Sequence, residues 1–291
     1  MNYSKLIILF FAGLLALIIT SCDVSSDNTE LDSNVGQLVI QITDAPLNFP
    51  NIKEINLTIE DIAVRSAENG EFLLLQDDQV NLNIMNFRNG DTRPIANSGR
   101  VPPGSFDQLQ LQFTGITIEL EDSDDAIDVA IDPRAQDGYT IDFNPEIEVL
   151  GARNTTILLD LNLYQSFTQQ NEGENFFPSI SFDPVIRYAQ LGNTGSINGK
   201  VLDEGNKQIR NALVKLLNNN ELVATTFSEK KPDSNSDKDP GDFKFIGIEP
   251  GTFQLTVEKE GLQKDTLETE VEMQSETNVS FRLDSTATAN N

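Results

Sequence analysis

Leu109-Gln110-Leu111-Gln112-Phe113 and, two residues on, Ile116-Thr117-Ile118-Glu119-Leu120 carry apolar side chains at every second position. A period of two is that of a β-strand with one buried and one wet face. The two segments are therefore predicted as two strands of a sheet packed on one side. The same alternation recurs outward in both directions. The segment from Gln37 to Thr43 is apolar at 38, 40 and 42, and that from Ile55 to Ile62 at 55, 57 and 59. From Thr156 onward, Ile157, Leu159, Leu161 and Leu163 fall on one face. Clusters of Asn, Asp, Gly and Pro separate these runs at the intervals of a sandwich. No stretch holds a helical period for three turns, and the segment from Val80 to Phe87 reads as either a short helix or a strand.

The C-terminal part repeats the pattern in seven short segments, which begin at Ser196, Ala212, Leu222, Phe243, Phe253, Thr269 and Asn278. Seven short strands in about 90 residues suit a Greek-key sandwich. The stretch from Leu191 to Ser196 (LGNTGS) reads as a short hinge. The expected architecture is thus all-β, two β-sandwich domains in tandem over 36–190 and 195–284, with a polar tail over 285–291. Pro103-Gly104-Ser105-Phe106 and Pro250-Gly251-Thr252-Phe253 stand before alternating strands in the two halves. Each is predicted as a type II turn whose glycine takes positive φ.

The N-terminus gives an address. Lys5 precedes an apolar run from Leu6 to Ile19 that is too short to span a bilayer and has the proportions of a signal peptide. It ends in Ile19-Thr20-Ser21-Cys22, which resembles the lipobox of bacterial lipoproteins. That resemblance implies cleavage before Cys22, lipidation of its sulfur and amine, and a membrane as partner; two or three acyl chains anchor stably. Residues 22–35 read as an acidic tether. Asp23, Asp27 and Glu30 within it resemble surface-export signals of Bacteroidota lipoproteins, which implies the outer membrane. Cys22 is the only cysteine, so no disulfide forms within the chain and a lipidated Cys22 leaves none for a partner.

Composition narrows the chemistry. The formal net charge is −26, and between Asp23 and Thr194 there are 29 acidic residues against 8 basic ones. That field repels nucleic acid and anionic surfaces. There is no histidine, which removes His triads, His general bases and His metal sites. There is no tryptophan, the commonest large stacking platform for sugars. Carboxylate-only catalysis, as in glycosidases, is the enzymatic route that remains.

Two family resemblances follow. Gly199-Lys200-Val201-Leu202-Asp203, Ile209 to Ala212, Gly241 to Phe245, Pro250 to Phe253 and Gly261 resemble the carboxypeptidase regulatory-like, transthyretin-like sandwiches. Those are appendages and spacers on secreted proteins, often grouped with carbohydrate-binding-like folds. Here the short turn usual in that family is expanded to residues 228–240. Gly36 to Leu38, Thr43-Asp44-Ala45-Pro46, Val80 to Leu82, Pro103 to Phe106, and Phe143 with Thr155 and Leu159 to Leu161 resemble a bacterial lipoprotein domain of unknown function, DUF4382, over about 36–188. That resemblance carries no activity.

Candidate sites are few. Asp233, Asn235, Asp237, Asp239 and Asp242 space oxygen side chains as a Ca²⁺ loop would, although Lys238 and Lys244 depart from the EF-hand pattern. Glu119, Glu121, Asp122, Asp124 and Asp125 form an acidic turn, read as solvated or as a cation site. Asp44 reads as a turn cap, and Phe176-Phe177-Pro178 as edge packing or an aromatic patch. No catalytic residue is assigned and no cofactor beyond Ca²⁺ is expected. The leading expectation is a non-enzymatic binding or scaffold lipoprotein of the cell envelope, whose partner is a glycan or an envelope protein. A carbohydrate-binding accessory and a carboxylate-dependent hydrolase are the alternatives.

Overall fold

The computed structural model describes residues 33–45, 51–123, 125–169, 180–229 and 239–285. Cys22, the signal segment, Phe176-Phe177-Pro178, Asp124, Asp233, Asn235 and Asp237 lie outside the described residues. Among the described residues no helix is long and apolar enough to cross a membrane.

The first core is built by β1 (Gly36–Ala45), β2 (Ile52–Ser66), β3 (Phe72–Gln76), β4 (Val80–Asn83), β5 (Arg93–Val101), β6 (Gly104–Leu120), β7 (Ala126–Asp128) and β8 (Ala130–Ile131). A short helix α1 (Pro133–Gly138), then β9 (Tyr139–Val149), β10 (Asn154–Asn162), a one-turn helix α2 (Leu163–Ser166), β11 (Phe167–Gln169), β12 (Ile180–Phe182) and β13 (Ile186–Gln190) complete it. One sheet runs β13-β10-β1-β5, with β1 and β10 parallel. The facing sheet runs β3-β2-β6-β7, with β4 on β2 and β9 on β6. A small sheet, β11-β12-β8, closes one end and sets Phe182 edge-on against Phe113, centroids 5.5 Å apart.

The two alternating segments around Phe113 are one strand, not two. β6 runs unbroken from Gly104 to Leu120, and its register against β2 slips between Thr58↔Gly115 and Ile59↔Phe113. The extra residue is a bulge. It moves the buried set from Leu109, Leu111 and Phe113 to Ile116 and Ile118, so one face stays on the core. β2 makes the matching slip between Ile59 and Ile62, where Glu60 and Asp61 are both exposed. At the bulge Gly115 leaves room for the Thr58 side chain, whose Oγ1 would lie 3.2 Å from a Cβ built there. The segment from Val80 divides its two readings: Val80–Asn83 is β4, and Asn83 then caps a 3₁₀ turn over Ile84–Asn86.

The second core is a sandwich of seven strands: β14 (Gly195–Asp203), β15 (Leu213–Asn218), β16 (Glu221–Phe227), β17 (Asp242–Ile248), β18 (Gly251–Glu258), β19 (Asp265–Val271) and β20 (Glu276–Leu283). Its sheets are β17-β14-β20 and β16-β15-β18-β19. Asn219 and Asn220, at φ 50° and 68°, form the two-residue turn between β15 and β16, where primed turns match the strand twist. Inside, the Phe243 ring lies across Gly199, its cross-strand partner, and meets the rings of Phe245 and Phe281. The two cores share no residue. The fold is all-β with sandwiches in tandem, as the alternation predicts.

The repeated Pro-Gly corners have the same backbone, but they are not type II turns. Gly104 and Gly251 stand at φ 156° and 157° and open β6 and β18 directly. A type II turn would hold the glycine near +80°. The positive sign was legible, whereas the extended value follows from the glycine already being in the ladder.

Candidate functional site

The residues that converge most closely do so where the first sandwich meets β17. β17 is an edge strand of its sheet, and an edge strand presents unpaired backbone groups. Asn89 takes one, Lys244 N, and shares Asp242 O with Glu229 N, which donates to it at 2.7 Å. Asn89 Oδ1 accepts from Lys244 N at 2.6 Å and its Nδ2 donates to Asp242 O at 3.4 Å and to Glu229 Oε2 at 3.4 Å. The amide thereby stands in for a neighbouring strand. Asn89 is only 4% exposed and sits at φ 57°, in the left-handed region that asparagine tolerates. Gly90 follows at φ 83°, where a Cβ would strike the Lys244 stem at 2.8 Å.

Arg187 on β13 takes the next groups along the same strand. Its Nη1 donates to Gly247 O at 2.6 Å and its Nη2 to Ile246 O at 3.4 Å. The same guanidinium is held by Asp160 on β10, with Nη2 to Oδ2 at 2.8 Å and Nε to Oδ2 at 3.3 Å. The Arg187 and Asp160 side chains are 27% and 12% exposed, so this pair is largely withdrawn from water. Gly247 itself, at φ 63°, lets the backbone reach the outer face of the first sandwich. A Cβ there would meet Leu158 Cδ2 at 2.8 Å and Ala189 Cβ at 3.1 Å. Leu158 is fully buried although it lies on the face of β10 away from its own core.

The stretch from Leu191 to Ser196 is therefore not a free hinge. It forms a 3₁₀ turn over Leu191–Asn193 and then enters β14. Gln274 donates from Nε2 to Gly192 O at 2.9 Å and from its backbone N to Thr194 O at 2.8 Å. Ser196 N donates to Ser275 O at 2.9 Å. The Gly and Asn that signal a bend in sequence serve here to let the backbone be strapped.

Beside this contact lies an open cleft of about 420 Å³. Gln41 and Thr92 of the first sandwich face Ser196, Gln274, Ser275 and the Lys244–Glu276 ion pair, 3.3 Å long, of the second. Gly90, Leu191, Thr194, Gly195, Ile246 and Gly247 form the rest of its lining.

The residues singled out in sequence lie elsewhere or are already engaged. Asp242 and Asp239 pair with Lys200 at 2.9 Å and 3.7 Å, and the Lys200 ammonium is held above its ordinary pKa chiefly by its hydrogen bond to Asp242. The other three proposed Ca²⁺ ligands are outside the described residues. Among the described residues no grouping of three or more His, Cys, Asp or Glu side chains is arranged to hold a metal ion. Glu119 pairs with Lys53 at 3.2 Å, while Glu121, Asp122 and Asp125 are exposed. Asp44 is the penultimate residue of β1 and pairs with Leu161.

Among the described residues three carboxylates have displaced pKa values, and all three are lowered. Hydrogen bonds from Arg65 to Asp107, from Arg134 to Asp132 and from Lys215 to Glu258 are the leading causes. A carboxylic general acid needs the opposite displacement. Asn89 and Arg187 were missed in sequence. Asn89-Gly90 does signal a turn, but nothing in the alternation marks either residue as a contact.

The family described as Domain of unknown function (DUF4382) matches residues 35–178. No curated protein matches the chain. Among solved structures, the Bacillus anthracis TIE protein is 10% identical over 86% of this chain and 40% of that one, with a TM-score of 0.26. GBS52, the minor pilin of Streptococcus agalactiae, is 10% identical over 88% and 98%, at 0.26. The shaft pilin SpaA from Lactobacillus rhamnosus GG is 9% identical over 88% and 100%, at 0.29. The chain spans less than half of the first of these, and scores this low say nothing of what it does. The matched residues take in the first sandwich from β1 to β11 and stop short of β12 and β13, and over that stretch the chain is similar to the DUF4382 family.

Proposed function

We propose that this chain is a lipid-anchored, non-enzymatic binding and scaffold protein of the cell envelope, held at the outer membrane through Cys22. In this reading the DUF4382 domain stands next to the membrane on its acidic tether. The second sandwich is a carboxypeptidase regulatory-like module carried beyond it. The observation that carries the scaffold reading is the joint: Arg187, Asp160 and Asn89 spend their polar groups on the β17 backbone and fix one sandwich on the other. A protein that positions a binding surface away from a membrane benefits from such stiffness.

Two measurements test the proposal. In a lipoprotein-processing host the full chain takes up labelled palmitate and Cys22→Ala does not; an unlabelled parent chain overturns the anchor. For the scaffold, spin labels at Asp78→Cys and Glu260→Cys, in a Cys22→Ser background, give one narrow distance distribution. A broad distribution overturns the rigid joint. The cleft beside the joint favours a glycan as the bound partner.

A further inference from the structure

We propose that the cleft between the two sandwiches is a binding site for a neutral, hydroxyl-bearing oligosaccharide. The inference rests on the non-enzymatic binding reading and gives it a ligand class. The volume of about 420 Å³ falls within the range of small-ligand sites, enough for two or three sugar rings lying partly in solvent.

The side chains at the cleft divide into those already used and those left over. The Gln274 amide is committed to Gly192 O and the Thr194 hydroxyl to Leu191 O, so both serve as fixed wall. The side chains of Gln41, Thr92, Ser196 and Ser275 have no hydrogen-bond partner among the described residues, and they line the cleft from both sandwiches. Each is an amide or a hydroxyl that both donates and accepts. Sugar hydroxyls do the same, so neighbouring hydroxyls on a ring match such a lining at every contact. An ammonium ligand offers donors only and a phosphate acceptors only, so either uses just one of the two capacities of each group.

Charge selects further. The formal charges at the cleft, Lys244 and Glu276, neutralise each other at 3.3 Å, so neither a cation nor an anion finds an unpaired counter-charge. The surrounding acidic field disfavours polyanionic chains. An extended peptide would dock by adding to a strand edge. At this junction the β17 edge is already occupied by Asn89 and Arg187. Leu191 and Ile246 supply a small apolar patch for a ring's C–H face. No aromatic residue lines the cleft, so affinity is modest and contact with both sandwiches provides the selectivity.

The test uses the full chain, titrated calorimetrically with maltotetraose, cellotetraose and mannotetraose up to about 10 mM, where even weak sites saturate measurably. Tetragalacturonate and tetra-alanine are the anionic and peptide comparisons. At least one neutral tetrasaccharide is expected to bind in the millimolar range or tighter. The shape-conserving pair Gln41→Met with Thr92→Val is expected to weaken it about tenfold or more, while the melting temperature stays unchanged. Ser275→Ala, from the opposite wall, is expected to weaken it as well. Failure of all three neutral probes overturns the site. So does binding that survives both variants, or binding of tetra-alanine in their place. The spin-label distance is independent of these outcomes, so loss of the site and loss of the scaffold reading are told apart.

Discussion

Replacing Arg187 with methionine removes the guanidinium while keeping most of the stem. Asp160, 12% exposed, is then left without its cation, and Gly247 O and Ile246 O lose their donor. Breaking a fully buried pair costs about 3–5 kcal/mol. Arg187 retains 27% exposure, so water re-enters and the cost is expected nearer 2–3 kcal/mol. Part of that loss falls on the joint, through Gly247 O and Ile246 O on β17, and part on the β10–β13 pairing, where Asp160 and Arg187 stand opposite each other. Scanning calorimetry of the full chain should therefore show a changed cooperativity. The parent melts in one transition, and the variant's second sandwich comes away first, at a temperature lower by about 5–10 °C. Asp160→Asn should cost less alone, and the two changes together less than their sum, since they share one interaction. A variant that melts in a single transition within a degree of the parent refutes the idea that this cluster couples the sandwiches.

Gly199→Ala drives a methyl into the Phe243 ring at the centre of the second core, and overpacking of that kind costs about 3 kcal/mol or more; an unshifted denaturant midpoint would count against the packing described. Glu258, bridged to Lys215 at 2.9 Å and Lys264 at 3.1 Å, has its pKa held below the ordinary 4.5. A depressed carboxylate stabilises above its unfolded value and ceases to do so as pH falls through the folded one. The advantage of the parent over Glu258→Gln is thus expected at pH 7 and should vanish on acidification below 4.5; a difference that persists in acid contradicts the assignment. Because Lys200 already pairs with Asp242 at 2.9 Å and stands 3.7 Å from Asp239, thermal melts should not move between chelator and millimolar Ca²⁺. A rise of several degrees would show that the loop coordinates the ion and displaces the lysine.

What the sequence revealed and what it hid divide along a physical line. Alternation reports which face of a strand is buried, and it located Leu109, Leu111, Phe113, Ile157 and Leu159 in the core. It even contained the bulge, since the buried set passes from odd to even positions at Thr114-Gly115. Read without a partner strand, that shift looked like a break between two strands. The short helix α1 was announced by Asp132-Pro133, an N-cap whose carboxylate accepts from Arg134 N, followed by proline at the first helical position. Its six residues were too few to show a period. The joint was hidden altogether. Asn89 and Arg187 act through the backbone of a strand more than fifty residues away, and backbone groups leave no trace in side-chain pattern. Leu158 gave a faint sign, as an apolar residue out of phase with its strand.

The covered edge of β17 also has a direction in time. Asn89, Asp160 and Arg187 all precede β17 in the chain, so synthesis from the N-terminus completes the receiving surface before the open strand appears. An edge that would otherwise invite a neighbouring molecule meets its own cover as soon as it is made. Reversing the order of the two sandwiches would preserve both cores and yet leave that strand bare while the cover was still being synthesised. The tandem order is thus itself a safeguard against aggregation during synthesis.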